Sequence, residues 1–480
     1  MIEIPSKLRY TFKTRPFSHQ LRALQKIKNL EGICALFMEM GTGKTKVAID
    51  WAGIGFYNHG LRRVVVVAPL SVLSVWTRQI RLHSTAPARI FVLTGPTDNR
   101  IRVLQLLLSP AGANDETITW IIINYEGLWR QGSGSSVEEC LKHWGADLII
   151  FDESHRLKSA SSKQSRSAHR IAQTVSQRLL LTGTPITKAP LDIFGQFRAM
   201  NEEVFGSSWG KFKFQYGVWG GPFHQQLRYL RNVKGIVRRI RAWSFRIKKS
   251  QCLDLPPKLF SDVPVTLSER AVKLYRQMAK EMIIEIEETH ATAAIVLVKL
   301  LRLSQITSGF IKDIDGKIRI FDDSKLKTCM DLLDDILEED HKVVIFVRFI
   351  TDIERLAEAL TNKQIKYRIL SGSVPFNQRD SIVQEFQEKP EIKVFIAQIQ
   401  AGSLGIELTA ADIAIYYSVT YNAADYWQSQ DRLHRQGQKR AVTYYRLIAP
   451  RTIDHTVFQV LETKGKIAEV VLHDPTILTQ

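Results

Sequence analysis

A glycine-rich loop is the first segment of the sequence with residue types suited to phosphate chemistry. It reads MEMGTGKT over Met38–Thr45, follows the apolar run Ile33–Phe37 and precedes a segment that can begin a helix. In such a strand–loop–helix context, backbone N–H groups converge on phosphates, Lys44 reaches the β- and γ-phosphate oxygens and the Thr45 hydroxyl can bind Mg²⁺. Met38 occupies the place of the usual first glycine. The alternative is a plain glycine turn with a surface lysine.

Two adjacent acidic residues, Asp152 and Glu153, follow the apolar run Leu148–Phe151. Side chains at the carboxyl end of a parallel strand face the ligand crevice of an α/β sheet. Asp152 would there hold Mg²⁺, and Glu153 would orient or deprotonate the water that attacks a phosphate. The alternative is an acidic surface turn, which is the weaker interpretation in a chain that also contains a phosphate loop upstream.

A third segment with phosphate-binding chemistry lies near the end of the chain. Gln428–Gln438 reads QSQDRLHRQGQ and contains Gln428, Arg432 and Arg435. The guanidinium group is always charged, and its rigid fork matches the geometry of a phosphate. Together with the glycine-rich loop, this segment predicts an ATP site that is split between two domains. The alternative is a basic helix end exposed to solvent.

Short β-branched runs alternate with longer amphipathic stretches, which is the pattern of parallel α/β sheets. In the first half, strands are predicted at Ile33–Phe37, Arg63–Ala68, Ile90–Leu93, Trp120–Ile123, Asp147–Phe151 and Arg178–Leu181. In the second half, they are predicted at Val343–Val347, Tyr367–Leu370, Lys393–Ala397, Asp412–Tyr417 and Val442–Leu447. Two such series predict two sheets and therefore two α/β lobes, over residues 1–254 and 255–480.

Two segments differ in character from the strand–helix alternation. Residues 194–250 are rich in aromatic and basic side chains and are predicted to be an insertion that projects from the first lobe. We expect the aromatic residues to pack, whereas the basic residues fit bracing of a DNA duplex and an ordinary solvated surface equally well. The paired prolines Pro256 and Pro257 mark a stiff connector. Residues 268–309 are helical by period and form a second candidate projection.

The composition favours a polyanionic partner. The 480 residues include 66 Lys and Arg against 48 Asp and Glu, a formal charge of +18, which points most simply to nucleic acid. Four widely separated cysteines indicate neither a zinc site nor a disulfide framework. No segment approaches the roughly 20 apolar residues of a bilayer span, and no signal peptide is evident. We therefore expect a soluble protein of the cytoplasm or nucleoid, or a viral protein in the host cytoplasm, without membrane contact.

In this order, the segments GTGKT, DESH, LTGTP and QSQDRLHRQGQ resemble the motifs of helicase superfamily two. Taken alone, LTGTP would be a common turn. More narrowly, the chain resembles the Swi/Snf-type group of ATP-driven double-stranded DNA translocases, in a minimal bacterial, phage or archaeal form. Further matching segments extend the resemblance over nearly the whole chain: Pro16–Gln20, Ala68–Ser71, Asn124–Glu126, Val344–Phe346 and Ala401–Thr409. The resemblance implies two tandem RecA-like lobes with helical insertions between them, ATP in the intervening cleft, and a C-terminal brace at 450–480.

The resemblance also implies a role for residues of both lobes. Gln20 would contact the adenine. The nucleotide-binding set would comprise Met40, Gly41, Thr42, Gly43, Lys44 and Thr45 in the first lobe and Gly405 and Glu407 in the second. Thr45 and Asp152 would hold Mg²⁺. Arg432 and Arg435 would act as arginine fingers on the γ-phosphate and Gln428 would position the water, beside the catalytic residues Lys44, Asp152 and Glu153.

A path for DNA follows from the same resemblance. The residues along it would be Ser71, Trp76, Asn124 and Tyr125 in the first lobe and Gly372, Ser373, Gly402 and Thr409 in the second. Small and hydroxyl side chains there would let backbone amides approach phosphates without sequence readout. Ser403 and Glu407 replace the glycine and asparagine that are usual in the group, and Glu407 would place a negative charge near the DNA or the nucleotide.

Three functional hypotheses remain open at this stage. The first is an ATP-dependent motor that translocates on double-stranded DNA, as a monomer, and remodels or anneals DNA structures or displaces bound protein. The second is a helicase that separates strands of DNA or RNA. The third is a nucleic-acid-binding scaffold with an inactive ATP site. The sequence leaves the pathway and any partner protein undetermined.

Overall fold

The order of strands and helices follows the alternation in the sequence. The computed structural model describes residues 10–109, 116–186, 190–220, 226–289, 293–313, 315–400 and 406–473. The chain divides into two units. Unit 1 comprises Met1–Asp254 and Lys466–Gln480, and unit 2 comprises Leu255–Gly465.

Unit 1 contains nine strands and nine α-helices within its described residues. The strands are β1 Ile33–Met38, β2 Arg63–Ala68, β3 Ala88–Leu93, β4 Ile118–Asn124, β5 Leu148–Asp152, β6 Gln177–Leu181, β7 Gly217–Gly220, β8 Gln226–Leu230 and β9 Ser244–Ile247. The helices are α1 Ser18–Asn29, α2 Lys44–His59, α3 Leu73–His83, α4 Thr97–Leu108, α5 Val137–Trp144, α6 Lys163–Ala172, α7 Ile193–Met200, α8 Trp209–Tyr216 and α9 Val233–Ala242.

The main sheet of unit 1 is parallel and is covered on both faces. Its strand order is β3-β4-β2-β5-β6-β1-β9, and β7 pairs with β8 in a separate antiparallel hairpin. Alternate residues of β2 enter different cores, because successive side chains of a strand point to opposite faces. Val64 and Val66 pack with residues of α1, α2 and α3, whereas Val65 and Val67 pack with residues of α4 to α9.

Unit 2 has its own strands and helices. The strands are β10 Lys258–Pro264, β11 Phe310–Lys312, β12 Ile318–Ile320, β13 Val343–Val347, β14 Tyr367–Leu370, β15 Val394–Gln398, β16 Ile413–Tyr416 and β17 Val442–Ile448. The helices are α10 Glu269–Thr289, α11 Ala293–Thr307, α12 Ser324–Glu338, α13 Ile350–Asn362, α14 Phe376–Glu388, α15 Ala423–Leu433 and α16 Ile453–His473. The residues of α16 from Lys466 onward fall in unit 1.

The main sheet of unit 2 is also parallel, with the strand order β10-β17-β16-β13-β15-β14. Its central strand β13 again divides its side chains between two cores, Val344 and Phe346 in one and Val343, Ile345 and Val347 in the other. The predicted fold class, α/β with two parallel sheets flanked by helices, is therefore confirmed. In the described part of the chain, no helix combines the length and apolar character that a membrane crossing requires.

Every strand predicted from the sequence is present, with ends that shift by no more than two residues. The edge strands β9 and β10 escaped prediction, since β9 has four residues and β10 exposes Leu259 and Phe260. Residues 194–250 do more than project from unit 1. Their last strand, β9, pairs with β1, and aromatic residues such as Phe194 and Phe212 are fully buried in the core of the main sheet.

Candidate nucleotide-binding site

The loop between β1 and α2 has the backbone geometry of a phosphate-binding loop. Gly41 and Gly43 have φ angles of 79° and 85°, in the left-handed region that favours glycine. Lys44 begins α2 and is buried, and its Nζ donates hydrogen bonds to the carbonyl oxygens of Met38 at 2.9 Å and Glu39 at 3.3 Å. The lysine is thus held beside a helix N-terminus, where N–H groups and the helix dipole favour an anion.

Two side chains of α1 fix the position of this loop. His19 Nε2 forms a hydrogen bond of 2.8 Å with the carbonyl oxygen of Thr42, and Gln20 Nε2 donates to the same oxygen at 3.2 Å. The other end of the Gln20 amide accepts from the backbone N–H of Phe17 at 3.0 Å. A Cβ on Gly43 would lie 2.1 Å from Gln20 Nε2, and the φ angle of 85° is one that residues with a side chain rarely adopt, so both features favour glycine there. Gln20 therefore lies against the glycine-rich loop, and its contact with adenine stays a prediction.

Asp152 is half-buried at the carboxyl end of β5. It accepts hydrogen bonds from the indole N–H of Trp76 at 2.7 Å and from the backbone N–H of Glu153 at 3.0 Å. Desolvation and the neighbouring charge of Glu153 together raise the pKa of Asp152 to about 6, although the Trp76 hydrogen bond and the charge of Lys44 oppose the shift. Because the ionised form of Asp152 is disfavoured in this environment, a bound cation would stabilise it.

Glu153 is linked to the LTGTP segment within unit 1. Its backbone has a φ angle of 50°, which is uncommon outside glycine. Thr182 Oγ1 donates to Glu153 Oε2 at 3.3 Å, and His155 Nδ1 lies 3.2 Å from the same oxygen. A Cβ on Gly183 would lie 3.1 Å from the backbone nitrogen of Met40. The acidic pair, LTGTP and the glycine-rich loop are therefore neighbours.

Three residues predicted to lie along DNA are buried beside this site. The side chains of Trp76 and Tyr125 are 1% and 0% exposed, and the Tyr125 hydroxyl donates to the backbone oxygen of Asp152 at 2.8 Å. Asn124 is 6% exposed and donates to Glu126 at 2.9 Å. The polar atoms of Trp76 and Tyr125 are directed at Asp152, and the place of these residues along a DNA path stays a prediction.

The other residues of the predicted DNA path are more accessible. Ser71 is half-buried in the short turn Leu70–Val72, and Gly372 and Ser373 are exposed just after β14. Thr409 is half-buried, and its hydroxyl oxygen accepts from Gln387 Nε2 at 3.3 Å. Two predicted site residues lie outside the residues that the structure describes: Gly402 and Gly405.

In unit 2, helix α15 places Gln428 and Arg432 one turn apart. Both side chains are largely buried, with 5% and 8% exposure. The guanidinium of Arg432 donates to the carbonyl oxygen of Ile406 at 3.5 Å, and the Arg432 carbonyl accepts from the N–H of Leu408 at 3.0 Å. The last turn of α15 is therefore attached to the segment that contains Glu407.

Arg435 lies just beyond α15 and forms an ion pair with Glu407. Its Nη2 is 2.7 Å from Glu407 Oε1, and the two side chains are 24% and 52% exposed. An exposed pair of this kind contributes little to stability, typically about 0 to 1 kcal/mol. Glu407 therefore orients the guanidinium without fixing it strongly.

Polar residues that sequence reasoning passed over hold the QSQDRLHRQGQ segment in place. The side-chain amide of Gln438 donates to the carbonyl oxygens of Thr409 at 3.3 Å and Ala411 at 2.8 Å. His434 is 8% exposed, and its Nε2 forms a hydrogen bond of 2.7 Å with the carbonyl oxygen of Pro256. One sequence feature could have indicated these contacts. Gln438 and His434 lie in a segment with more polar residues than a solvated helix end needs.

The donor set of unit 1 fits a magnesium ion held with phosphates. Among the described residues there is no cluster of three or more His, Cys, Asp or Glu side chains. Mg²⁺ keeps several waters and is usually bound through one or two carboxylates plus substrate phosphates, so such a cluster is not needed. Asp152, at the end of β5, and Thr45, in the first turn of α2, are residues of the required types.

Comparisons with known proteins agree with this arrangement of motifs. Residues 19–309 match the SNF2-related domain, which covers more than half of the chain, and residues 324–437 match the helicase conserved C-terminal domain. The chain belongs to the SNF2-related family. Tandem RecA-like lobes, which the resemblance implied, are the architecture of this family.

Two relatives are also similar to this chain in sequence. The chain is 28% identical to the DNA annealing helicase and endonuclease ZRANB3 of Bos taurus, over 98% of this chain and 41% of that protein. It is 28% identical to an uncharacterized ATP-dependent helicase of Mycoplasma genitalium, over 90% of this chain and 40% of the relative. The chain thus spans about two fifths of the length of these relatives. A solved structure, the Sulfolobus solfataricus SWI2/SNF2 ATPase core in complex with dsDNA, aligns with 22% identity and a TM-score of 0.44, over 97% of this chain and 95% of that chain.

The glycine-rich loop generates a first prediction. Gly43→Ala would force a methyl group against Gln20 and strain a φ angle of 85°, so we expect it to abolish binding of a fluorescent ATP analogue. Gly60→Ala is the matched control, because Gly60 ends the same helix with a φ angle of 68° and open space around its Cα. It should cost similar stability and keep binding. Equal loss of binding in both variants would contradict the role of the loop.

The hydrogen bond between Trp76 and Asp152 generates a second prediction. Trp76→Phe removes a donor that stabilises the carboxylate, so the pKa of Asp152 should rise further above about 6. A raised folded-state pKa gives stability that is present at low pH and is lost as pH rises through the folded pKa. The urea midpoint of Trp76→Phe should therefore fall below that of the native chain by more at pH well above 6 than at pH well below it.

Trp209→Phe serves as the control, because Trp209 lies on α8 with 38% exposure. Its effect on the urea midpoint should be small and independent of pH. A pH-independent effect of Trp76→Phe would contradict the assigned interaction with the Asp152 carboxylate.

Proposed function

We propose that this chain is an ATP-driven motor that hydrolyses ATP and translocates on double-stranded DNA. The observation that carries the proposal is the convergence of Lys44, Asp152 and Glu153 in unit 1, in a family whose relatives include named ATP-dependent helicases. The basic composition, with a formal charge of +18, supports a nucleic-acid partner. We propose that the motor acts as a monomer in the compartment that holds the DNA.

Unit 1 would bind the nucleotide through its phosphates. The glycine-rich loop, Met40 to Thr45, would present backbone N–H groups, and Lys44 would exchange its hydrogen bonds to two carbonyl oxygens for bonds to phosphate oxygens. Gln20 would contact the adenine. Thr45 and Asp152 would hold Mg²⁺, which would neutralise charge that develops on the phosphates. Bound cation would also offset the cost of burying the Asp152 carboxylate.

Glu153 would act on the water that attacks the γ-phosphate. Thr182 and His155 hold its carboxylate, so the side chain is oriented before substrate arrives. Such orientation lowers the entropic cost of placing a water in line with the leaving group. Removal of Thr182 would then impair turnover through the position of Glu153.

Unit 2 would supply positive charges to the γ-phosphate, so that hydrolysis would require residues of unit 2 as well as of unit 1. Arg432 and Arg435 would contact the γ-phosphate and Gln428 would position the water, with Gly405 and Glu407 beside the nucleotide. The weak, partly exposed pair with Glu407 would release Arg435 when a more highly charged phosphate competes for the guanidinium. Hydrolysis would thereby be coupled to the approach of unit 2 to the nucleotide, and each cycle would advance one unit along the DNA.

The DNA path of the motor would run over accessible backbone. Of the predicted residues, Ser71, Gly372, Ser373 and Thr409 keep partly or fully exposed positions, and Gly402 remains part of the proposal. Contacts of this kind bind phosphates without reading bases. Asn124 would act through its backbone, since its side chain is nearly buried.

Strand separation is the second candidate function. It is favoured by the relatives whose names include the word helicase, one of them an annealing helicase. A fluorescent strand-displacement assay distinguishes the two, because a motor that only translocates releases no strand. A scaffold with an inactive site would show neither ATP turnover nor strand release.

The proposal predicts that Arg435→Ala stops hydrolysis and spares DNA binding. Arginine fingers contribute roughly 10³ to 10⁵ in turnover in comparable nucleotide hydrolases, so duplex-stimulated ATPase should fall at least about a thousandfold. Arg440→Ala is the matched control, because Arg440 lies five residues further along the chain, has 65% side-chain exposure and pairs with Asp412. Steady-state ATPase and duplex binding by fluorescence anisotropy are the measurements.

Arg440→Ala should retain ATPase activity and duplex affinity. Normal turnover in Arg435→Ala would contradict the role of this residue. ATP turnover of the native chain that does not respond to duplex DNA would contradict the motor itself.

A further inference from the structure

One part of unit 1 carries basic residues and no acidic residue. Between Phe205 and Leu253 the sequence has eleven Lys and Arg and neither Asp nor Glu. The chain as a whole has 48 acidic residues against 66 basic ones, so this segment holds much of the excess positive charge. Its described elements are α8, the hairpin β7–β8, α9 and β9. The proposed contacts with nucleotide do not involve these basic residues.

Helix α9 displays part of this charge on its outer face. Ile236, Val237 and Ile240 are buried, whereas Lys234 and Arg238 are exposed one turn apart on the other side of the helix. Arg231, just before the helix, is exposed as well. Within the described part of the chain, none of these three cations forms an ion pair with an acidic side chain. Among the residues that the structure describes, these three cations therefore lack a neutralising carboxylate partner.

Two large aromatic side chains are exposed on α8 and β8, the elements that precede α9 in the chain. Phe214 is 78% exposed on α8, while its neighbours Phe212 and Tyr216 on the same helix are fully buried. Tyr229 is 61% exposed on β8, where it lies opposite Val218 of β7. The backbone carbonyl of Tyr216 accepts from the N–H of Arg231 at 2.9 Å, which ties the end of α8 to the start of α9.

We propose that this α8–α9 surface, defined as Phe214, Tyr229, Arg231, Lys234 and Arg238, binds single-stranded DNA. Unpaired cations suit a phosphate backbone, and exposed aromatic rings suit the faces of unstacked bases. A duplex hides its base faces within the stack, so the exposed rings favour a single strand over a duplex. The inference rests on the proposed function and extends it.

The consequence concerns the class of DNA on which the motor works. The proposed motor tracks a duplex, and this surface would bind a single strand. The protein would therefore prefer DNA in which single-stranded and double-stranded segments adjoin, such as forks, gaps and displaced strands. Binding to them would gain from two attachments at once, because the second contact forms at a high effective concentration. A uniform duplex would bind only through the duplex-binding path and would not contact the α8–α9 surface.

The charge is tested by a triple variant, R231Q/K234Q/R238Q. Binding of a fluorescein-labelled oligo(dT) is measured by anisotropy over a range of salt concentrations. Loss of three phosphate contacts should lower the slope of log affinity against log salt by about 2, at ~0.7 per contact on a single strand. The control K363Q/K389Q/K393Q removes the same charge from lysines that already pair with Asp334, Glu385 and Asp340, and it should keep the native slope.

The aromatic residues are tested by F214A/Y229A. Since base stacking is typically lost on such truncation, affinity for oligo(dT) should fall at least about fivefold per ring. Affinity for a blunt duplex and duplex-stimulated ATPase should stay within about twofold of native values, because duplex offers no base face to stack on. The exposed positions of both rings predict an unchanged urea midpoint.

The two sets of variants make the outcomes decisive. Unchanged oligo(dT) binding in both sets overturns the inference and leaves the motor intact. Loss of duplex and oligo(dT) affinity to the same extent in the triple variant, with no effect of F214A/Y229A, also overturns it and makes this a duplex surface. Absence of duplex-stimulated ATPase in the native chain refutes the motor, while selective loss of oligo(dT) binding would still support the surface.

Discussion

The half-buried carboxylate of Asp152, at the end of a parallel strand, is the interaction on which the candidate nucleotide site of unit 1 depends. Asp152 is held by the indole N–H of Trp76, and the hydroxyl of Tyr125 binds its backbone oxygen. Desolvation and the neighbouring Glu153 disfavour the ionised form of Asp152. A metal ion bound with a nucleotide would therefore stabilise this carboxylate. Trp76 and Tyr125, which were also predicted to lie along DNA, thus hold Asp152 in position.

In unit 2, the segment 406–411 is hydrogen-bonded to the end of α15 and to the residues that follow it. Arg432 and Gln438 bind the backbone on either side of Glu407, and Glu407 pairs with Arg435. The acidic residue at this position, unusual in the family pattern, therefore has a partner inside unit 2. Because the pair is partly exposed, it guides the arginine at small energetic cost and can be replaced by a phosphate.

Much of the fold followed from the sequence because buried parallel strands are continuous β-branched runs, as in Arg63–Ala68, and because glycines and carboxylates mark where such strands end. The short edge strand β9 carries no such run and gained its place only by pairing with β1. The burial of Trp76 and the pairing of Glu407 with Arg435 were beyond reach, since each joins residues far apart in sequence. A motif position alone does not tell whether a side chain lies at the surface or in the interior, and Trp76 is an example of the latter.

The central claim is that residues of both units act on one nucleotide in the transition state. It is tested most directly by the affinity of the chain for ADP with tetrafluoroaluminate, compared with ADP alone, in the native protein and in Arg435→Ala. The account predicts that the native chain binds the analogue far more tightly than ADP, and that Arg435→Ala loses this difference while its affinity for ADP is unchanged. Equal preference for the analogue in both proteins would contradict the account.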